Sequence, residues 1–414
     1  MLSAEFFVNN RQKLLDSMEE GSALLLFSGF PTIKSYDQHT AFMPCRNFYY
    51  FTGIKEQNAV LVLSKTKTAA AVNLFIEEPE EMLIKWNGRM LTREQACDIS
   101  GLELKNVLYK HRMQEHVQRL LRPQNAGTVY VVLDRIQLSQ PLNLPESFAN
   151  EVKSKYPSVT VKNAMELIGP LRAIKQPCEI ECLKKAIEIT GGAFKAMIKN
   201  AKPGEYEYQW QADFEHHVMR SGAGFGFKSI CASGKNAVML HYSTNDCVAA
   251  GGDLMLFDFG AEYMGYSADI SRTVPVNGRF TPRQKDLYKT VREALHIARD
   301  KMRPGEPYAA INQAVIDYYK KALRTLKVIT EDSQIENYYY HGVSHHLGLN
   351  VHDPFSFDIL QPGMVFTDEP GLYIAEEGVG VRLENDILIT DGDPVDLAAN
   401  VLIDPDELEA YMQG

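Results

Sequence analysis

Two aspartates in the stretch 254–274, Asp258 and Asp269, are the first residues whose setting could carry chemistry. Apolar residues run into Asp258, a turn-like Tyr263-Met264-Gly265 follows, and a second strand-like run carries Asp269. A two-residue loop at Tyr263 and Met264 would set the two carboxylates directly opposite one another, with Cβ atoms about 5 Å apart. Like charges repel at that distance. The pair would therefore share a proton or a cation, or else be two solvated hairpin charges, and the pair alone leaves these readings level.

Downstream residues break the tie. One run, from His341 through His345 to His352, is rich in histidine, and a second runs from Val365 to Glu369-Pro370-Gly371. In a third, Val379, Val381 and Leu383 alternate with Gly380, Arg382 and Glu384, so the charged residues share one face of a strand. Asp258, Asp269, Glu369 and Glu384 with His345 make a hard, oxygen-rich donor set. Such a set favours manganese, iron or cobalt, or zinc in a carboxylate-rich setting, over a thiolate zinc site. Two cations held by bridging carboxylates would neutralise this much negative charge and clamp an attacking hydroxide, which is metal-assisted hydrolysis.

The elements that must position these residues fall into two groups. At 414 residues the chain is expected to form two domains. Residues 1–168 alternate helical patterns (4–20, 112–122, 145–154) with strand patterns (23–27, 48–51, 60–63, 71–75, 129–133), which predicts an α/β domain with a mixed or parallel sheet. It contains no Gly-rich phosphate loop, and its isolated histidines, His39, His111 and His116, read as surface or packing residues. Residues 169–414 open near Leu171 to Pro177, where Pro177 suits the first turn of a helix and Glu179 and Glu181 suit its dipole. An internal repeat follows. A helix over about 179–200 ends at Lys202-Pro203-Gly204-Glu205, and a second carries Trp210, Phe214 and Val218. Later a helix with Leu287, Val291, Leu295 and Met302 ends at Arg303-Pro304-Gly305-Glu306, before another with Ile311 and Val315. Strand-like runs follow each helix pair, so the second domain reads as two helix–helix–strand halves facing each other.

Acidic residues exceed basic ones, 53 to 43, for a formal charge of -10. That balance argues against nucleic-acid binding and against anchoring on an anionic membrane. No run approaches the roughly 18 apolar residues of a membrane span. The six cysteines show no zinc-ligand spacing and read as reduced thiols. The first residues carry no basic region followed by an apolar run, so a cytoplasmic protein is expected.

Asp258-Phe259-Gly260-Ala261-Glu262-Tyr263, Ala268-Asp269-Ile270-Ser271-Arg272-Thr273, His341-Gly342-Val343-Ser344-His345, Glu369-Pro370-Gly371 and Arg382-Leu383-Glu384 resemble the proline-specific metallopeptidases with the pita-bread fold. Within that family the likeness is greatest to the aminopeptidase P members and next to the prolidases, which are Xaa-Pro dipeptidases. Arg46-Asn47-Phe48-Tyr49-Tyr50-Phe51-Thr52-Gly53 is similar to the signature of the family's N-terminal domain, so the resemblance spans nearly the whole chain. It implies an α/β N-terminal domain over residues 1–168 and, over 169–414, an α+β pita-bread (creatinase/aminopeptidase) catalytic domain with two pseudo-symmetric halves. It further implies a dinuclear site, usually manganese, with cobalt, zinc or iron as alternatives. Asp258 would bind one ion, His345 and Glu369 the other, and Asp269 and Glu384 would bridge. Glu369 would also accept the proton of the bridging water, while His241 and His352 would sit by the scissile carbonyl. His341 would be an outer histidine, and Arg382 a cation that orients the carboxylates. The implied substrates are peptides with proline at the second position. By the same analogy the chain would be a homo-oligomer, a dimer or a tetramer.

Several residues keep a plainer reading. Taken without the resemblance, His241 after Met239-Leu240 reads as a core histidine. His346, where the family commonly has an aromatic, should point away from its ligand neighbour. His216, His217 and His296 read as surface residues, Asp368 as pointing away from Glu369, and Asp386 as a solvated strand charge. Dipeptidases must also hold the free carboxylate of a two-residue substrate, which calls for a cation. No Lys or Arg lies between His352 and Arg382, which favours an aminopeptidase over a prolidase. A metal-free binding module or a creatinase-like hydrolase is the more distant alternative, disfavoured because every ligand position holds a competent residue.

Overall fold

In the N-terminal unit, Leu2–Leu171, hydrophobic strands build one mixed sheet. Its order is Val107–Tyr109, Ala70–Ile76, Val60–Lys65, Ser22–Phe27, Thr128–Val131 and Thr160–Asn163. The central pairs are antiparallel and the outer ones parallel. The computed structural model describes residues 2–122, 124–135, 137, 139–354 and 357–414. One sequence expectation fails in this unit. Residues 48–51, read as a strand from their aromatic run, lie in the helix Arg46–Thr52. Phe48, Tyr49, Tyr50 and Phe51 are all buried, and Phe6 and Phe7 of the helix Ala4–Ser17 meet Tyr50 and Tyr49 edge-on. With apolar contacts available on every side, packing overrides the β preference of aromatic residues. Gly53, at φ 69°, ends the helix in the left-handed region.

The second unit, Arg172–Gly414, carries the repeated scheme. Helices Pro177–Asn200 and Glu207–Arg220 precede the strands Ile230–Ser233, Leu254–Phe259 and Ile270–Pro275. Helices Pro282–Lys301 and Tyr308–Thr325 precede Val365–Asp368, Gly371–Ile374, Val379–Arg382 and Asn385–Leu388. The residues that set the helical periodicity (Trp210, Phe214, Val218, Leu287, Val291, Leu295, Ile311 and Val315) are all buried in one core with the inner faces of the strands. At roughly 25 cal/mol per Å² of apolar surface, this burial is the main force holding the helices on the sheet layer.

The two halves are stitched along the strands that carry the charged residues. The Glu384 N–H donates to Ser271 O at 3.0 Å, and the Thr273 hydroxyl donates to Arg382 O at 3.1 Å. Arg272, fully buried, donates to Glu384 O at 2.6 Å and to the Asn385 side chain at 2.8 Å. Its guanidinium spans the seam, and burial pushes its pKa down to about 10.

The hairpin register differs from the sequence expectation. Met264 and Gly265, at φ 53° and 89°, are the central turn residues, as hairpin turns with two positive φ angles require. Tyr263 therefore pairs with Tyr266, and farther along Asp258 faces Ser271, not Asp269. Asp269 comes opposite Gly260, where a Cβ would lie 1.8 Å from Ala268 O, so only glycine permits that approach. The two aspartates are diagonal neighbours, which leaves room between them.

Candidate metal centre

Asp258, Asp269, His345, Glu369 and Glu384 line a single cleft of about 850 Å³ together with His241, His341, His352 and Arg382. Strands of both halves bring them there. Asp258 sits one residue before the end of Leu254–Phe259, Asp269 just before Ile270–Pro275, and Glu384 just beyond Val379–Arg382. Asp269 and Glu384 are buried at the floor, while His241 and His352 are exposed toward the opening. The core-histidine reading of His241 is thus overturned. It fails because Met239, which looks apolar in sequence, is on the surface, and Leu240 is only half-buried.

The floor holds more negative charge than its protein partners balance. Ligand atoms of Asp269, His345 and Glu384 lie within 4.8 Å of one another. His345 Nε2 is 3.4 Å from Asp269 Oδ2 and 3.5 Å from Glu369 Oε1. His345 Nδ1 lies 3.1 Å from His346 O, a bond only an Nδ1–H can make. In the neutral ring Nε2 is then a bare acceptor aimed at two carboxylates. Metal-ligating histidines are oriented in this way. Asp258 Oδ2 accepts from Arg382 at 2.7 Å, yet among the described residues its buried Oδ1 has no hydrogen-bond partner. Burial, reinforced by the neighbouring carboxylates, pushes the carboxyl groups of Asp269 and Glu384 well above the ordinary range. Glu369 is raised chiefly by burial, against the pull of His345 and Arg382. An orphaned oxygen, a bare imidazole nitrogen and carboxyls that resist ionising form a donor set that fits divalent cations.

Around this floor a layer of neutral hydroxyls, which carry no motif of their own, fixes the charged groups. The Ser271 hydroxyl donates to Glu384 at 2.6 Å and accepts from Arg382 Nε at 2.9 Å. Thr367 accepts from the His345 N–H at 3.0 Å and donates to Glu369 at 3.3 Å. The Tyr373 hydroxyl accepts from Arg382 at 3.1 Å and lies 2.8 Å from His341 Nε2. His341 Nδ1 lies 2.7 Å from Gly342 O, so Nδ1 carries the proton and Nε2 accepts from Tyr373. Burial first, and Arg382 second, push the His341 pKa down to about 4, so the ring is neutral at neutral pH. The rings of His345 and His352 lie 4.0 Å apart, tilted by 38°.

Asp386 is not solvated. It is fully buried and accepts the Asp269 N–H at 3.2 Å, because its strand, Asn385–Leu388, lies between Val365–Asp368 and Val395–Asp396. His346 is buried against Phe366 at 4.2 Å, fills an aromatic position, and is pushed down to about 3 by burial. His216 is exposed, whereas His217 and His296 are half-buried. The loop bearing His241 is tied down by Glu207, a residue without a motif. Its buried carboxylate accepts from Ser233 N and Oγ, both at 2.7 Å, from Tyr242 at 2.6 Å, and from Asn236 and Cys247 N at 3.0 Å. All six cysteines are free. Among the described residues, no helix is long and apolar enough to cross a membrane.

Residues 181–391 match the profile of metallopeptidase family M24, and residues 7–130 match that of the aminopeptidase P N-terminal domain. The Xaa-Pro aminopeptidase of Escherichia coli (strain K12) is 32% identical over 99% of this chain and 98% of its own. That of Haemophilus influenzae is 33% identical over 94% and 93%. A solved structure from Bacillus anthracis, 37% identical, covers 100% of this chain and 99% of its own with a TM-score of 0.96. Aminopeptidase P from E. coli with the inhibitor Pro-Leu, 32% identical, covers 100% and 98% at 0.91. The fold is therefore an aminopeptidase P-type N-terminal domain followed by a pita-bread catalytic domain, and the chain belongs to metallopeptidase family M24.

Proposed function

We propose that the chain hydrolyses the bond between an N-terminal residue and a following proline, as an Xaa-Pro aminopeptidase. The observation that carries this reading is the cleft floor, where four carboxylates and one bare imidazole nitrogen converge and Arg382 pairs with Asp258. Asp258 would hold one divalent ion, His345 and Glu369 a second, and Asp269 and Glu384 both, with manganese the preferred metal. Bound there, the ions supply a polarised substrate carbonyl and a water acidic enough to attack it. The chain's own residues do the rest. Glu369, which binds a proton more readily than an ordinary carboxylate, takes the water's proton. His241 and His352, exposed at the opening, donate to the oxygen on which charge develops. Arg382, Tyr373 and His341 form a hydrogen-bonded chain that holds Asp258 in place. Proline's tertiary amide lacks the N–H that peptidases pairing with an extended substrate require, so a dedicated site is needed.

A second reading, Xaa-Pro dipeptidase, has one observation in its favour. Lys228 lines the same cleft, and among the described residues it makes no hydrogen bond or ion pair. It could meet the free carboxylate that a dipeptide presents. Matched Xaa-Pro and Xaa-Pro-Yaa peptides, given to metal-stripped protein with and without manganese, separate the readings. Manganese-dependent release of the first residue from the tripeptide, with the dipeptide slow, is expected. Fast dipeptide cleavage with the tripeptide inert would make it a dipeptidase, and no cleavage of either would favour a binding module.

Residues 1–168 and 169–414 are assigned as the two domains, the second catalytic. Helix Glu81–Asn87 of the N-terminal unit exposes Met82, Leu83, Ile84 and Trp86, with none of its residues buried. Such a face supports a homo-oligomer, dimer or tetramer. The free thiols and acidic surface fit a cytoplasmic protein.

A further inference from the structure

We propose that Arg172 and Lys175 are positioning residues for His352, acting through the carboxylate of Asp353; this rests on the role given to His352 above. Asp353 follows His352 directly and is buried between the two cations. Arg172 pairs with Asp353 Oδ1, and Lys175 Nζ is 3.1 Å from Oδ2. All three side chains are 2% exposed or less. The same cluster grips the rest of the loop. Arg172 also donates to the Asn350 side chain at 2.5 Å, and the Asn350 N–H donates to Asp353 Oδ1 at 3.1 Å. The Asp353 N–H donates to His346 O at 2.9 Å, which ties the loop to the strand-like segment carrying His345. A Cβ on Gly348 would lie 2.7 Å from Asp353 Oδ2, so the loop closes on the cluster with no space left over.

His352 has no comparable anchor of its own. Among the described residues its ring makes no hydrogen bond and only lies against the His345 ring, 4.0 Å away and tilted by 38°. Its place at the cleft opening is therefore set by the backbone on either side, and that backbone is set by Asp353. Three buried charges are an expensive way to pack a loop, since apolar residues of similar size do as well for stability. What a directional ion cluster adds is a single loop geometry. In a reaction that needs a donor within hydrogen-bond distance of one oxygen, geometry of that kind is read in turnover.

The test is a pair of double-variant cycles followed with an Xaa-Pro-Yaa peptide, together with the manganese content of each purified variant. Lys175→Met leaves the Arg172–Asp353 pair in place, and Asp353→Asn removes the charge while keeping the shape. Each should lower kcat by about tenfold to a hundredfold, with KM and bound metal nearly unchanged. Lys175→Arg should recover most of the loss. In a His352→Ala background the same substitutions should change kcat by less than about twofold, because the group they position is gone. An equal loss in that background, full kcat in both single variants, or loss of metal would overturn the proposal. Should Asp353→Asn fail to fold with two buried cations uncompensated, Lys175→Met alone decides. If His352→Ala by itself leaves kcat intact, the role of His352 falls, and the clamp with it, whatever the Asp353 variants do.

Discussion

Two groups of buried carboxylates in the catalytic unit meet opposite electrostatic fates. Asp353 is enclosed by Arg172 and Lys175, and although burial alone would raise its pKa, the two cations hold it below the ordinary carboxylate range. Asp269 and Glu384, equally enclosed, are raised by burial and then by the carboxylates around them, and their pKa values go well above that range. Glu207 shows a third solution: no cation, but five donors on its two oxygens. The chain plainly can pair or saturate a buried acid. At the cleft floor the one guanidinium of Arg382 pairs with Asp258 Oδ2, and among the described residues Asp258 Oδ1 has no hydrogen-bond partner. The missing positive charge at the floor is therefore to come from outside the polypeptide. That is what a resident pair of cations would provide.

The largest effects are expected from substitutions at the floor. Asp269→Ala or Glu384→Ala should remove metal binding and lower turnover by roughly three orders of magnitude, at about 1.36 kcal/mol per tenfold. Retained activity in either variant, measured with an Xaa-Pro-Yaa peptide beside metal content, would refute the dinuclear centre. Next in size is His352→Ala, expected to lower kcat by about a hundredfold to a thousandfold, in the range of a lost oxyanion donor. Its metal content should stay at the wild-type value, and a drop would show that the residue is a ligand. Arg382→Met, which takes away the guanidinium held by Asp258, Ser271 and Tyr373, should lower activity by about tenfold to a hundredfold.

The smallest effect separates the two carboxylate groups directly. In metal-free protein Asp269, Glu384 and Glu369 keep protons that the unfolded chain releases near pH 4. Above that pH the folded state binds more protons than the unfolded one, so stability falls as pH rises. Asp353, with a lowered pKa, works the other way. Its contribution is fully present above the ordinary carboxylate value and is lost only in acid. Melting curves of stripped protein between about pH 5 and 8 should therefore fall with rising pH, while the gain on adding manganese grows. A flat profile in stripped protein would mean that the floor is already neutralised by the chain itself.

Much of this centre could be read from the sequence because its acids lie in strand-like runs next to Gly and Pro punctuation. The repeated helix pair could also be read, since Trp210, Phe214, Val218 and Leu287, Val291, Leu295 mark buried helical faces. Other features had no local signature. The hairpin slipped because Met264, a residue with a Cβ, takes positive φ beside Gly265, and a turn one residue later moves every pair. Residues 48–51 looked like a strand because burial on all sides is invisible to periodicity. Ser271, Thr367 and Tyr373 are neutral, and only the fold shows which charged groups they join. Asp386 reads as an ordinary strand charge until a neighbouring strand covers it. The Lys175–Asp353 contact links positions 178 residues apart, a distance over which one sequence carries no pairing signal.

The central claim is that the unbalanced carboxylates of the cleft hold two cations. Its most direct test is to saturate metal-stripped protein with manganese and count the bound ions per chain by atomic emission, with activity followed on the same samples. Two ions per chain in the wild type, full turnover only on reaching that ratio, and loss of both in Glu384→Ala are predicted. A wild-type protein that cleaves Xaa-Pro-Yaa peptides with one ion per chain or none would contradict the account.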